Sequence, residues 1–230
     1  MKTAILIDGG FYRQRAKTVL GYKSPKERAD ELERYCKAHL RLRDENNQLY
    51  RIFYYDCLPS EKIVYHPLMK AQVDLSKSDL YAWMVEFVEQ LKRRRKFAMR
   101  LGTISDANAA YTLTAKTVKK LCNRSITVDD LTESDFYIDE LNQKGVDMKI
   151  GIDIASLAYK KQVDQIILIS GDSDFVPAAK LARREGIDFI LDAMGSHIRP
   201  DLFEHIDGLR SANHLYTDPT RAKEPPSEGI

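Results

Sequence analysis

Short apolar runs that stop abruptly at acids constrain this chain more than any other feature. Ala4 to Ile7 is one such run, ended by Asp8-Gly9-Gly10. Gln165 to Ser170, built on Ile166, Ile167, Leu168 and Ile169, is a second, and it leads into Gly171-Asp172-Ser173-Asp174. Gln48 to Cys57 is a third, with Ile52, Phe53, Tyr54 and Tyr55 ahead of Asp56. Continuous apolar runs of this length read as strands buried on both faces, as in a parallel sheet. Phe97 to Ile104 and Ile187 to Leu191 bring the expected count to about five strands.

Helical patterns lie between the runs. Pro25 to Arg43 places Ala29, Leu32, Cys36, His39 and Leu40 on one side, and Ser78 to about Arg95 does the same with Leu80, Trp83, Met84, Phe87, Val88 and Leu91. Lys149 to Lys160, Phe175 to Glu185 and Leu202 to Leu209 predict three more helices. Strands alternating with helices predict an α/β fold, a doubly wound parallel sheet with helices on both faces. The 230 residues suit a single domain, read as 1–216, with a partly helical insertion at about 106–143 where periodicity is weak. Pro219, Pro225, Pro226 and Gly229 predict a disordered tail over 217–230.

Composition narrows the classes. Cys36, Cys57 and Cys122 are an odd number without paired spacing, which argues against a disulfide framework or zinc set and for a reducing, cytoplasmic setting. No stretch approaches the roughly 18 apolar residues of a membrane span, and Asp8 stops the apolar start too early for a signal peptide. The net charge of +2 is uninformative, but the charges segregate. Lys92, Arg93, Arg94, Arg95 and Lys96 form an unbroken basic run, a candidate contact for a nucleic-acid backbone. The plainer reading is a solvated helix end, where cations suit the dipole. Lys116, Lys119, Lys120 and Arg124 form a second basic patch.

In open parallel sheets ligands gather beyond the carboxyl ends of the strands, near the switch in strand order. Asp8, Asp56, Asp172 and Asp174 are therefore expected along one edge, joined by Asp147 at the start of its helix. Singly, each reads as a turn former or helix cap. Together they crowd like charges and raise one another's pKa, which a cation relieves. Oxygen-only donors without a His or Cys set favour a hard ion, Mg²⁺ or Mn²⁺.

Three segments in order, Ala4-Ile5-Leu6-Ile7-Asp8-Gly9-Gly10, Lys144-Gly145-Val146-Asp147 and Ile167-Leu168-Ile169-Ser170-Gly171-Asp172-Ser173-Asp174-Phe175, resemble the NYN domain of the PIN-like nuclease superfamily, particularly its LabA-like (DUF88) branch. The likeness runs with gaps over about 3–210. It implies a PIN-like, Rossmannoid fold and metal-dependent hydrolysis of RNA by a ribonuclease. Carried over by position, Asp8, Asp147, Asp172 and Asp174 match its acidic positions, and Ser170 would orient a carboxylate or a water. Asp153 matches a further, secondary acid, but it lies about 240° round a helix from Asp147, so the two should not share a face. The Asn that usually follows the first Asp-Gly is missing, with Gly10, Phe11 and Tyr12 in its place.

RNA is the implied partner, with Tyr12 and Phe11 able to stack on bases or else to serve as core residues. A homodimer is also allowed. No His lies in the core motifs, so activation of water would fall to the ion, and His197, His205 and His214 read as surface or packing residues. The main alternative is a non-catalytic PIN-like module that grips RNA or a protein. A phosphatase of the haloacid dehalogenase type would need a second Asp at position 10, which is glycine.

Overall fold

A computed structural model describes residues 1–41, 47–139 and 142–213. In chain order the first elements are β1 (Lys2–Asp8), α1 (Gly9–Leu20), α2 (Pro25–His39), β2 (Gln48–Asp56), β3 (Ile63–His66), β4 (Ala71–Asp74), α3 (Asp79–Lys92) and β5 (Phe97–Leu101). Then come β6 (Thr103–Ser105), β7 (Ala110–Leu113), α4 (Ala115–Cys122), β8 (Phe136–Asp139), β9 (Asn142–Lys144) and α5 (Val146–Tyr159). The chain finishes with β10 (Gln165–Ile169), α6 (Val176–Arg184), β11 (Asp188–Asp192), α7 (Pro200–Phe203) and β12 (Gly208–Leu209). The end of the first expected helix at Arg43, the tail over 217–230 and His214 lie outside the described residues.

The chain forms two compact units. The first takes residues 1–56, 86–101 and 145 onward, and the second takes 57–85 and 102–144. The first unit holds a six-stranded sheet in the order β12-β11-β10-β1-β2-β5, parallel throughout. The chain starts at the middle of this sheet, winds outward through β2 to β5, then returns to the other side of β1 as β10. The switch in direction therefore falls between β1 and β10. Ala4, Ile5, Leu6 and Ile7, and likewise Ile166 to Ile169, have no exposure, because both strands are covered on both faces.

Alternation along β2 shows which helices do the covering. Tyr54 meets Phe87 of α3 edge to face, with ring centroids 5.7 Å apart, and its hydroxyl donates to Asp56. On the opposite face, the Tyr55 hydroxyl donates to Asp153 of α5. The α/β fold with helices on both sheet faces is thus as expected, with three differences. A sixth strand, β12, ends the sheet where a helix was expected to run to Leu209, and α7 stops at Phe203. The segment after Asp8-Gly9 is a twelve-residue helix and not a mere turn, with Asp8 as its cap. Lastly, the region read as a partly helical insertion is partly helical, through α4, and falls in a unit that also uses residues 57–85 and holds strands. Among the described residues that unit holds three two-stranded antiparallel pairs, β3 with β4, β6 with β9 and β7 with β8, plus α4 and the first half of α3.

The first unit is tightest where α1 leaves β1. A Cβ built on Gly9 would come within 2.5 Å of Asp56 Oδ2 and 2.6 Å of the Tyr54 hydroxyl oxygen. Gly151, inside α5, has nothing within 4 Å of such an atom. Gly9→Ala is therefore expected to lower the unfolding free energy by about 1–3 kcal/mol through overpacking. Gly151→Ala should raise it by about 0.4–1 kcal/mol by restricting the unfolded chain. Urea titrations of both variants against wild type check the pair.

Candidate active site

Asp8, at the carboxyl end of β1, is held through both carboxylate oxygens. Oδ1 accepts the Phe11 backbone N–H at 3.1 Å, capping α1, and Oδ2 accepts the Ser170 hydroxyl at 3.2 Å. Ser170 is fully buried just beyond β10, and its Oγ accepts the Asp172 N–H at 3.3 Å. Asp172 in turn caps the short 3-10 turn Ser173–Phe175, accepting the Asp174 N–H at 3.0 Å. One chain of hydrogen bonds thus ties the loop after β10 to the end of β1. Gly171 allows the two to close up, since a Cβ there would sit 2.6 Å from the Phe11 ring.

Asp147 enters from the first turn of α5, behind Gly145, whose φ of 79° lies in the left-handed region glycine favours. Its carboxylate senses those of Asp172 and Asp174, while Asp8 senses Asp147 and Asp56. Asp8, Asp147, Asp172 and Asp174 are thus linked electrostatically through Asp147. Burial, the larger cause, and the neighbouring charges push the Asp8 carboxyl above its ordinary range, although the Phe11 N–H and Ser170 hydroxyl oppose this. Burial followed by Asp172 and Asp174 does the same to Asp147. Asp174 is exposed and does not cap α6, where Phe175 holds the cap position.

Two other strand-end acids differ in kind. Asp56 is wholly buried and gripped by Arg13, Nε to Oδ2 at 2.9 Å and Nη2 to Oδ1 at 3.0 Å, with the Tyr54 hydroxyl at 2.8 Å. Asp192, after β11, is equally buried; it meets His39 Nε2 at 2.8 Å, the Tyr35 hydroxyl and the Met194 N–H. Neither offers a free carboxylate. Among the described residues, no Lys, Arg or His pairs with Asp8, Asp147, Asp172 or Asp174. Asp192 was legible, since it follows an apolar strand as Asp8 does. Arg13 and His39 carried no such signal.

Several expected site residues lie elsewhere. Asp153 faces away from Asp147, as the helical angle required, and is neutralised by Arg100 at 2.8 Å and Tyr55 at 2.8 Å. Tyr12 is fully buried with its hydroxyl donating to Glu31 at 3.4 Å, so its expected role in base stacking is corrected to a core role. Phe11 covers Gly171.

The members of the basic run have different surroundings. The run ends just before Phe97, the first residue of β5, which pairs with Ile52. Arg94 is bound to Asp30 and Glu33, Lys92 to Glu89 at 2.6 Å and Lys96 to the Leu49 carbonyl; Arg93 and Arg95 are exposed. Lys116, Lys119 and Lys120 are exposed on α4 of the second unit. His197 is exposed and His205 half-buried.

The parallel six-stranded sheet flanked by helices is consistent with a PIN-like α/β domain. The NYN domain family matches residues 76–204, more than half of the chain, and the chain belongs to that family. The match takes in Asp147, Ser170, Asp172 and Asp174, while Asp8 precedes it. No curated protein matches the sequence. Among solved structures, a protein of unknown function from Vibrio parahaemolyticus is similar at 14% identity and a TM-score of 0.42, over 90% of each chain. No described helix is long and apolar enough to cross a membrane.

The raised carboxyls make a prediction about stability. Asp8 and Asp147 hold protons more tightly folded than unfolded, so they oppose folding at neutral pH, and this cost fades as the pH falls through their raised values. Asp147→Asn should therefore melt above wild type at neutral pH in EDTA, with the gap closing on acidification. Thermal melts across that range check it, and a variant less stable than wild type at neutral pH would contradict the reading.

Proposed function

We propose that the chain is a metal-dependent ribonuclease of the LabA-like branch, hydrolysing RNA phosphodiester bonds at the edge shared by β1, β10 and α5. The observation that carries this is the set of four carboxylates at the switch point without a counter-cation, beside two strand-end acids that each have a basic partner. Among the described residues no three His, Cys, Asp or Glu side chains are already gathered as a metal-ligand set. The donor chemistry still fits a hard ion, because the side chains are all oxygen donors and repel one another. Asp8, Asp147, Asp172 and Asp174 would hold Mg²⁺ or Mn²⁺. When bound, such an ion supplies positive charge to the phosphate and lowers the pKa of water.

The protein's own groups do the rest. Ser170 fixes the orientation of Asp8 and, through its Oγ, the start of the Asp172 loop. Phe11 and Gly171 close the gap between the two loops. Asp147 and Asp174, both exposed, remain able to turn toward a substrate phosphate and its cation.

Labelled single-stranded RNA incubated with Mn²⁺, Mg²⁺ or EDTA tests the proposal. Cleavage should require the metal, and Asp172→Asn should lose at least about 100-fold in rate, as loss of an electrostatic stabiliser does. Ser170→Ala, which only positions, should lose about 10–100-fold. Either divalent ion should also raise the melting temperature of wild type more than that of Asp172→Asn. RNA bound but never cut, with no metal effect on melting, would favour the non-catalytic module instead.

A further inference from the structure

On the sheet face covered by α5, away from the acidic edge, lies a cavity of about 390 Å³ in which three cations meet one carboxylate. Arg51 and Phe53 rise into it from alternate positions of β2, Arg100 from β5, Asp153 from α5 and Lys160 from the cap position at the end of α5. Arg100 is set in place from two sides. Its Nε donates to Asp153 at 2.8 Å, and its guanidinium carbon lies 5.2 Å from the centre of the Phe53 ring. Asp153 is itself held by the Tyr55 hydroxyl at 2.8 Å, so Arg100 is fixed like a tool in a clamp, its Nη groups without a protein partner among the described residues.

Asp153 accounts for one cation. The carboxyl end of α5 accounts for Lys160, since helix ends favour positive charge. Neither accounts for Arg51, which has no carboxylate partner among the described residues. A surplus of organised positive charge in a concave site is an anion site, and a partly fixed guanidinium suits phosphate oxygens. The same helix carries Asp147 at its other end, about 20 Å away at 1.5 Å per residue.

We propose that this cavity grips backbone phosphates of a single-stranded nucleic acid whose scissile bond lies at the acidic edge, with Arg51, Arg100 and Lys160 as the contacts. This rests on the nuclease reading for the identity of the strand. It replaces the basic run at 92–96 as the main phosphate contact, since Arg94 and Lys92 are already paired with acids.

The test is fluorescence anisotropy of a labelled RNA of about 12 nucleotides, within the usual span of single-strand sites, on the full chain in EDTA so that binding is read without cleavage. Arg51→Gln/Lys160→Gln should bind about tenfold more weakly, with the slope of log affinity against log salt reduced by about 1.4 for two lost contacts. Arg93→Gln/Arg95→Gln should bind nearly as wild type. A DNA strand of the same sequence should lose as much as RNA, because backbone charge alone is read. With Mn²⁺, the groove variant should raise KM and leave kcat unchanged. Unchanged binding by the groove variant, a loss that follows Arg93 and Arg95 instead, a loss confined to RNA, or no RNA binding by wild type would each overturn the proposal. Binding that depends on the groove without any cleavage would overturn only the nuclease reading.

Discussion

The pairing of β1 on both of its edges is the constraint from which the rest of this structure follows. Ile5 lies beside Ile52 on one side and Ile167 on the other, in parallel register, and no water reaches it. A strand so placed must end where its neighbours end, so whatever follows it is delivered beside whatever follows β10. Asp8 and the Ser170–Asp174 loop are close because their strands are neighbours. Placing like charges beside one another costs free energy, and the apolar pairing behind them is what sustains it.

Neutralisation separates the acids of this edge into two kinds. Asp56 and Asp192 flank the centre, are fully buried, and each has a cation or imidazole and a tyrosine hydroxyl against it. Such groups are structural: removing one partner would leave a charge stranded away from water. Asp8, Asp147, Asp172 and Asp174 lie between and above them, with only hydrogen bonds from backbone and serine. The contrast within a single edge makes the central group hard to explain as ordinary packing.

Much of this was legible in the sequence, for a definite reason. Apolar strands buried on both faces announce themselves as runs, and their ends can be read to the residue, so Asp8, Asp172 and Asp174 could be named in advance. The phase of α5 separated Asp153 from Asp147 by arithmetic alone. What could not be read depended on partners distant in sequence. Arg13 looks like any helical arginine until β2 brings Asp56 to it. Tyr12 is aromatic beside a candidate site, yet the packing of α1 on α2 turns it inward to Glu31. The run at 92–96 looks uniform, but Asp30, Glu33 and the position of β5 give its members different surroundings. The two-residue β12 was missed because so short a strand has no periodicity to detect.

The strand order also bears on how the chain is made. The segment that carries the family's likeness begins at residue 76, yet the strand at the middle of the sheet precedes its five sheet partners in the chain. During translation β1 can find β2 early, but its second edge waits for β10, most of the chain later. Until then an apolar ribbon with unsatisfied backbone groups lies open to any other strand. A fragment starting at residue 76 would lack the ribbon altogether, leaving β10 without the neighbour that seats it. The stretch that carries the likeness holds β5, β10 and β11 of the six sheet strands but not β1.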